Sequence, residues 1–324
     1  IVYIHPNNIF TPFKVNDSSL PCLAEITFLN NKFIKNKKIF NPNNLFNFKN
    51  SKKYKQIKLD QFHFIDWLFK NKKLIKKIKI INYLISPITI SRLLNFISEA
   101  NKSKKSNFIC VSNVHSCIES FRNSQFKIAH NSADIAVADG RPIFWALKLL
   151  GLKFAEHLPG YYVTEKIFEL ANKQNIKIGF YGSTHNNLKK IRDKLNLTYK
   201  DLKINYLYSP PFRKLKIKEE IKILKDIKKS KIDILLVCLG CPKQELWMYQ
   251  NKNKLKCTMI GVGAVADFLS GNKILPNKFF EYLGLAWLIR LITEPKRLFW
   301  RYFSTNFLFI FLFFLQITGL KKFK

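Results

Sequence analysis

Two short strings in this chain combine residue types that could move a group onto a hydroxyl. In Ala138-Asp139-Gly140 a carboxylate follows an apolar run, and the glycine permits a tight turn into a helix opened by Pro142. A short aspartate side chain carried by a rigid strand end suits a general base that must reach an acceptor alcohol. The same position also suits a helix cap, the commoner use of such an aspartate. In Leu239-Gly240-Cys241-Pro242-Lys243-Gln244-Glu245 an apolar run again gives way to a helix start. Exposed N–H groups there bind anionic oxygen, Lys243 adds positive charge, and Gln244 can donate and accept, as sugar hydroxyls require.

Weaker candidates surround these two. Asn113 and His115 in SNVHS could meet a ligand, although Asn113 equally fits a helix cap. GFYGSTHNN at 179–187 lacks the third glycine of the dinucleotide fingerprint, so no nicotinamide cofactor is expected. Asp267 in GVGAVADF offers a further polar contact. Cys238 and Cys241 form a lone CxxC with no second pair to complete a zinc site, and no His or carboxylate stands at ligand spacing from His115. No metal and no cofactor is expected, and the cysteines read as reduced, buried thiols. Arg290, Arg297 and Arg301 fall within about 40° of one another on a continuous helix, where they could hold a lipid pyrophosphate or anionic head groups. A break at Pro295 would leave only the Arg297–Arg301 pairing.

These residues need strands to position them. Apolar runs at 107–111, 134–138, 176–181, 203–208, 232–239 and 257–262 read as strands. Helical spacing occupies 114–130, 142–150, 162–174, 186–196, 216–229 and 242–254. This rhythm predicts an α/β fold, a Rossmann-like, mostly parallel sheet with helices on both faces, and a ligand crevice beyond the strands' carboxyl ends. The core is expected over 88–282. Residues 1–87, rich in Asn, Lys and Phe, carry no βα rhythm and no assignable role.

From 283 to 324 the chain changes to a helical appendage. The uncharged stretch Tyr302–Leu320, flanked by Trp300 and by Lys321, Lys322 and Lys324, is at the short end of what a spanning helix needs. Five Phe between 307 and 314 point all round a helix. Lying in a membrane interface, or dipping in as a hairpin, is expected ahead of crossing. The net charge of +35, from 56 Lys+Arg against 21 Asp+Glu, favours anionic partners without choosing among them. No nucleic-acid module accompanies it, so a specific nucleic-acid role is not expected.

Taken in order, SNVHS, SADIAVADGRPIFWALKLLG, LPG, FYGS, DILLVCLGCPKQELW, IGVGAVADFLSG and GLAWLIRLITEPKRLFWRY resemble the WecG/TagA/CpsF family, glycosyltransferase family 26, over residues 88–302. The resemblance implies transfer of an N-acetylmannosamine-type sugar from UDP to an undecaprenyl-diphosphate-linked sugar, with inversion and no required metal. It implies Asp139 as base, Asn113 and Gln244 at the substrate, and Arg290, Arg297 and Arg301 on an appendage at the membrane surface; Gly240 and Lys243 are substrate-binding candidates from their place in the LGCPKQE turn. The implied setting is the cytoplasmic face of the bacterial inner membrane, in cell-surface polysaccharide synthesis, with self-association into a homo-oligomer left open. The chain departs from the family pattern where Val111 replaces a threonine, His157 an arginine, Tyr162 an aspartate, Ile274 and Leu275 an arginine and alanine, and Ala286 a glutamate. These changes point to an altered donor choice, or to a rival reading as a catalytically silent membrane-bound scaffold.

Overall fold

The computed structural model describes residues 2–6, 13–15, 18–20, 24–28, 77–275, 280 and 284–323. The chain divides into a unit spanning 1–73 and a larger one spanning 74–324. Within the first, β1 (Val2–Pro6) pairs antiparallel with β4 (Ala24–Phe28), and β2 (Phe13–Val15) with β3 (Ser18–Leu20).

The second unit opens with an antiparallel hairpin of β5 (Ile78–Ile80) and β6 (Tyr83–Ile85). Both strands lie in the stretch that sequence leaves without βα rhythm, yet Ile80, Ile81, Tyr83 and Ile85 are fully buried in the core. Then α1 (Ile90–Ser103) begins, capped by the Thr89 hydroxyl accepting from the Arg92 amide. The alternation continues through β7 (Asn107–Ser112), α2 (Val114–Arg122), α3 (Ser124–Asn131), β8 (Ile135–Ala138), α4 (Arg141–Leu149), α5 (Gly160–Gln174), β9 (Lys177–Gly182) and α6 (His185–Thr198). It closes with β10 (Lys203–Tyr208), α7 (Ile217–Lys229), β11 (Ile234–Cys238), α8 (Lys243–Asn251), β12 (Thr258–Gly261) and α9 (Val265–Leu269). The single helix expected over 114–130 is two, because the Asn123 side chain accepts from Phe126 N–H and starts α3.

Six strands form one sheet in the order β10-β9-β11-β12-β7-β8, every neighbouring pair parallel. Their side chains alternate between two apolar layers. Phe108, Cys110, Leu235, Val237 and Met259 face one layer with α2, α3, α4, α7 and α8. Ile109, Val111, Ile234, Leu236 and Ile260 face the other with α1, α5, α6 and α9. Strands covered on both faces read as continuous apolar runs, which is why the sequence signal is strong.

The appendage holds α10 (Ala286–Thr293) and α11 (Pro295–Ile317), separated at Glu294 with Pro295 opening the second helix. α11 is not uniform around its axis. Leu298, Thr305, Phe309, Leu312 and Phe313 are buried, and the helix packs on α2 and α10. Gln316 clamps it to the hairpin, its Oε1 accepting from Ile81 N–H while its Nε2 donates to the Lys79 carbonyl at 2.9 Å. Phe299, Phe303, Phe307, Ile310, Phe314 and Ile317 recur every three or four residues on the opposite side, all exposed. By length and composition Leu298–Ile317 could cross a membrane, but one side of it, 29% of its apolar window, is buried on the protein's own core.

Candidate functional site

The carboxyl ends of β7, β8, β9, β11 and β12 open into a cavity of about 910 Å³. Successive strands send their helices to opposite faces here: β9 leads to α6 in one layer and its neighbour β11 to α8 in the other. That divergence opens a crevice beyond the strand ends.

Asp139 follows β8 and lines the cavity. It does not cap α4, whose N-cap is Gly140 without any side-chain bond. Its Oδ1 instead accepts the Gly160 amide, the first of α5, at 2.7 Å, while its own N–H donates to Ser112 O at 2.9 Å. The carboxylate is therefore held at the N-terminus of α5. His157 donates from Nε2 to the Asp139 carbonyl, fixing its tautomer. Burial, helped by the nearby Arg141 charge, pushes the His157 imidazole down to about 4, so it is neutral at pH 7.

Gly140 is not in a left-handed conformation, contrary to the tight-turn expectation; its φ is −79°. A Cβ there would stand 3.3 Å from Asn113 Cβ, so the glycine lets the β7 and β8 loops approach. Asn113 caps α2, its Oδ1 accepting Ser116 N–H at 3.1 Å, and also lines the cavity. A buried polar set supports this corner. Tyr83 donates to Ser116 Oγ at 2.7 Å, His130 Nε2 lies 2.9 Å from Ser112 Oγ, and the Tyr83 and His130 rings stack at 3.8 Å. Burial pushes His130 down to about 3, keeping it neutral.

Gly240, Lys243 and Gln244 come together after β11. Gly240 adopts φ +79°, and its N–H donates to Gln244 Oε1 at 3.2 Å. Gln244 is buried and its Nε2 donates to Glu245 Oε1 at 2.9 Å, so both ends of the amide are oriented. Lys243, exposed at the first position of α8, lines the cavity. Asp267 lines it too, accepting from Asn187 Nδ2 at 3.0 Å and paired with Lys273 at 3.1 Å.

Several further residues line the cavity that the sequence did not single out as site candidates. Arg141, Arg213 and Lys273 add cations, while Tyr181 and Trp247, with ring centroids 4.5 Å apart, add an aromatic wall. Arg141 opens α4, Tyr181 lies within β9 and Trp247 within α8, while Arg213 and Lys273 lie in loops, and residue type alone does not show which of them turn toward a ligand. Arg290 lies on α10, and Arg297 and Arg301 on α11, so Pro295 does interrupt the spacing that would align all three. Their side chains fall outside the described ones. From the appendage, Trp287, Tyr302, Thr305 and Asn306 reach the cavity wall. Among the described residues no group of three His, Cys, Asp or Glu side chains is placed to hold a metal ion.

A doubly wound parallel sheet, with a carboxylate, helix N-termini and cations around a crevice at its carboxyl edge, defines an α/β enzyme suited to a phosphorylated ligand. The profile of the glycosyl transferase WecG/TagA/CpsF family matches residues 78–323, and the chain belongs to that family. It is 25% identical over 216 residues, 65% of this chain and 81% of its relative, to the N-acetylglucosaminyldiphosphoundecaprenol N-acetyl-beta-D-mannosaminyltransferase of Bacillus spizizenii. It is 26% identical over 200 residues, 61% of this chain and 77% of its relative, to the Staphylococcus aureus protein of the same name.

Proposed function

We propose that this glycosyltransferase moves an N-acetylmannosamine-type sugar from a UDP-sugar to a sugar linked to polyprenyl diphosphate, with Asp139 as general base. The observation that carries the reading is the Asp139 carboxylate, anchored through Oδ1 on the Gly160 amide and lining the same cavity as Lys243 and Gln244. In the proposed step the acceptor hydroxyl gives its proton to Asp139 as its oxygen bonds to the anomeric carbon. The bond from that carbon to the UDP phosphate breaks with its electron pair, and attack opposite the leaving group inverts the centre. Lys243, Arg141, Arg213 and Lys273 around the cavity and the N-terminus of α8 suit the diphosphate. Asn113 and Gln244 suit sugar or phosphate oxygens. The relatives' own names, which specify a diphosphoundecaprenol-linked acceptor, support the acceptor class.

We place the protein at the cytoplasmic face of the membrane, with the exposed stripe of α11 lying in the interface beside the cavity mouth. The seating of the other side of that helix on the core favours lying over crossing. The test is transfer of label from UDP-N-acetylmannosamine to a synthetic N-acetylglucosaminyl diphosphate lipid by the purified full chain. Product with an inverted linkage is expected. UDP-sugar binding without transfer to any lipid acceptor would identify a silent scaffold instead.

A further inference from the structure

The loop between β10 and α7, which lines the cavity through Pro210, Pro211, Phe212, Arg213 and Leu215, and the first two turns of α7 present apolar side chains to solvent. Phe212 is 90% exposed, Ile217 77% and Ile221 60%. An isolated exposed apolar residue needs no explanation, but here three lie within ten residues, with Phe212 on the cavity and Ile217 and Ile221 one helical turn apart just beyond it. The loop is pinned at both ends. Ser209 Oγ donates to Ser183 O at 2.7 Å beside the cavity, and Arg213 holds Glu219 with two bonds at 2.8 and 2.7 Å. Leu215 turns inward onto the core while Phe212 points out, so the aromatic projects from a braced turn. Lys214, Lys216 and Lys218 surround it, all exposed. Apolar tips among lysines match an anionic lipid surface in both its hydrocarbon and its charge. Tyr302 and Asn306 of α11 line the same cavity, and that helix carries the exposed phenylalanine stripe.

We infer that the Pro211–Ile221 segment is a second membrane contact, so that the cavity mouth is held against an anionic bilayer from two sides, by this loop and by α11. The inference rests on the interfacial reading of α11, and the experiment separates the two. Full-length chain is sedimented with vesicles of phosphatidylcholine, with and without phosphatidylglycerol. Phe212→Asp and the double variant Ile217→Asp/Ile221→Asp are each expected to lower partitioning about tenfold. Lys214→Glu/Lys216→Glu should lower it on the anionic vesicles alone. Thermal melts of the Ile217/Ile221 variant should match wild type, as both side chains are exposed. Loop variants that partition like wild type overturn the inference, as does a wild type that stays off both vesicles or a loss that follows unfolding. In parallel, Phe307→Asp/Phe311→Asp tests α11. Full binding by that variant with loss in the loop variants sinks the α11 reading and leaves the loop contact standing. The reverse pattern sinks the loop contact alone and points to a protein partner for Phe212.

Discussion

Glu245 makes stability depend on pH in a way that one substitution isolates. The residue lies behind Gln244 at 1% exposure, with Oε2 lacking a hydrogen-bond partner. Burial pushes its carboxyl from the ordinary 4.5 up to about 7. Between those values the unfolded chain has released a proton that the fold retains. The corresponding stability is fully present below pH 4.5 and is lost as pH rises through about 7. Linkage puts the total at roughly 3 kcal/mol. His130 and His157 act in the opposite sense. Held down to about 3 and about 4, they are neutral in the fold while the unfolded chain protonates them below 6.5. Their contribution is present above 6.5 and lost as pH falls, so the wild-type curve is a sum of opposed slopes. Glu245→Gln keeps the size and the acceptor for Gln244 but cannot ionise. Urea unfolding of both proteins between about pH 4.5 and 8 should show the variant gaining roughly 3 kcal/mol on wild type as pH rises. Parallel curves over that window would refute the reasoning.

Other outcomes follow from the same geometry. Phe307→Asp/Phe311→Asp should shift the protein from membranes to the soluble fraction by about a hundredfold or more, since each exposed ring contributes about 1.5–3 kcal/mol when buried in lipid. Deleting 303–324 is a poorer probe, because it also removes the buried Phe309, Leu312 and Phe313 and the Gln316 clamp. Gly182→Ala should destabilise by about 2 kcal/mol or more, read as a lower Tm: φ is +114° and a Cβ would stand 2.6 Å from the Cys238 carbonyl. Lys243→Gln should weaken UDP binding by calorimetry about three- to tenfold, the difference shrinking at high salt.

The parallel sheet was legible because its inner strands are buried on both faces and so read as unbroken apolar runs such as Ile234–Cys238. The β5–β6 hairpin was not, since three-residue strands inside a Lys- and Asn-rich stretch carry no period. The α2–α3 break hid because Asn123 sits within otherwise continuous helical spacing. For α11, phenylalanines on every side gave no sign of which face is covered. Which of them are covered depends on α2 and α10, distant partners that no local pattern reveals. Among site residues, motif position placed Asp139, Asn113, Gly240, Lys243 and Gln244 on one cavity. The bond from Gly160 to Asp139 spans 21 residues and could not be read locally.

Single-turnover transfer by Asp139→Asn, with saturating donor and a matched diphosphate-lipid acceptor, bears most directly on the proposed chemistry. The amide retains an oxygen for the Gly160 N–H but cannot take a proton. The bond-forming rate should fall about a hundred- to ten-thousand-fold with UDP affinity preserved. A folded variant that turns over at the wild-type rate would contradict the assignment.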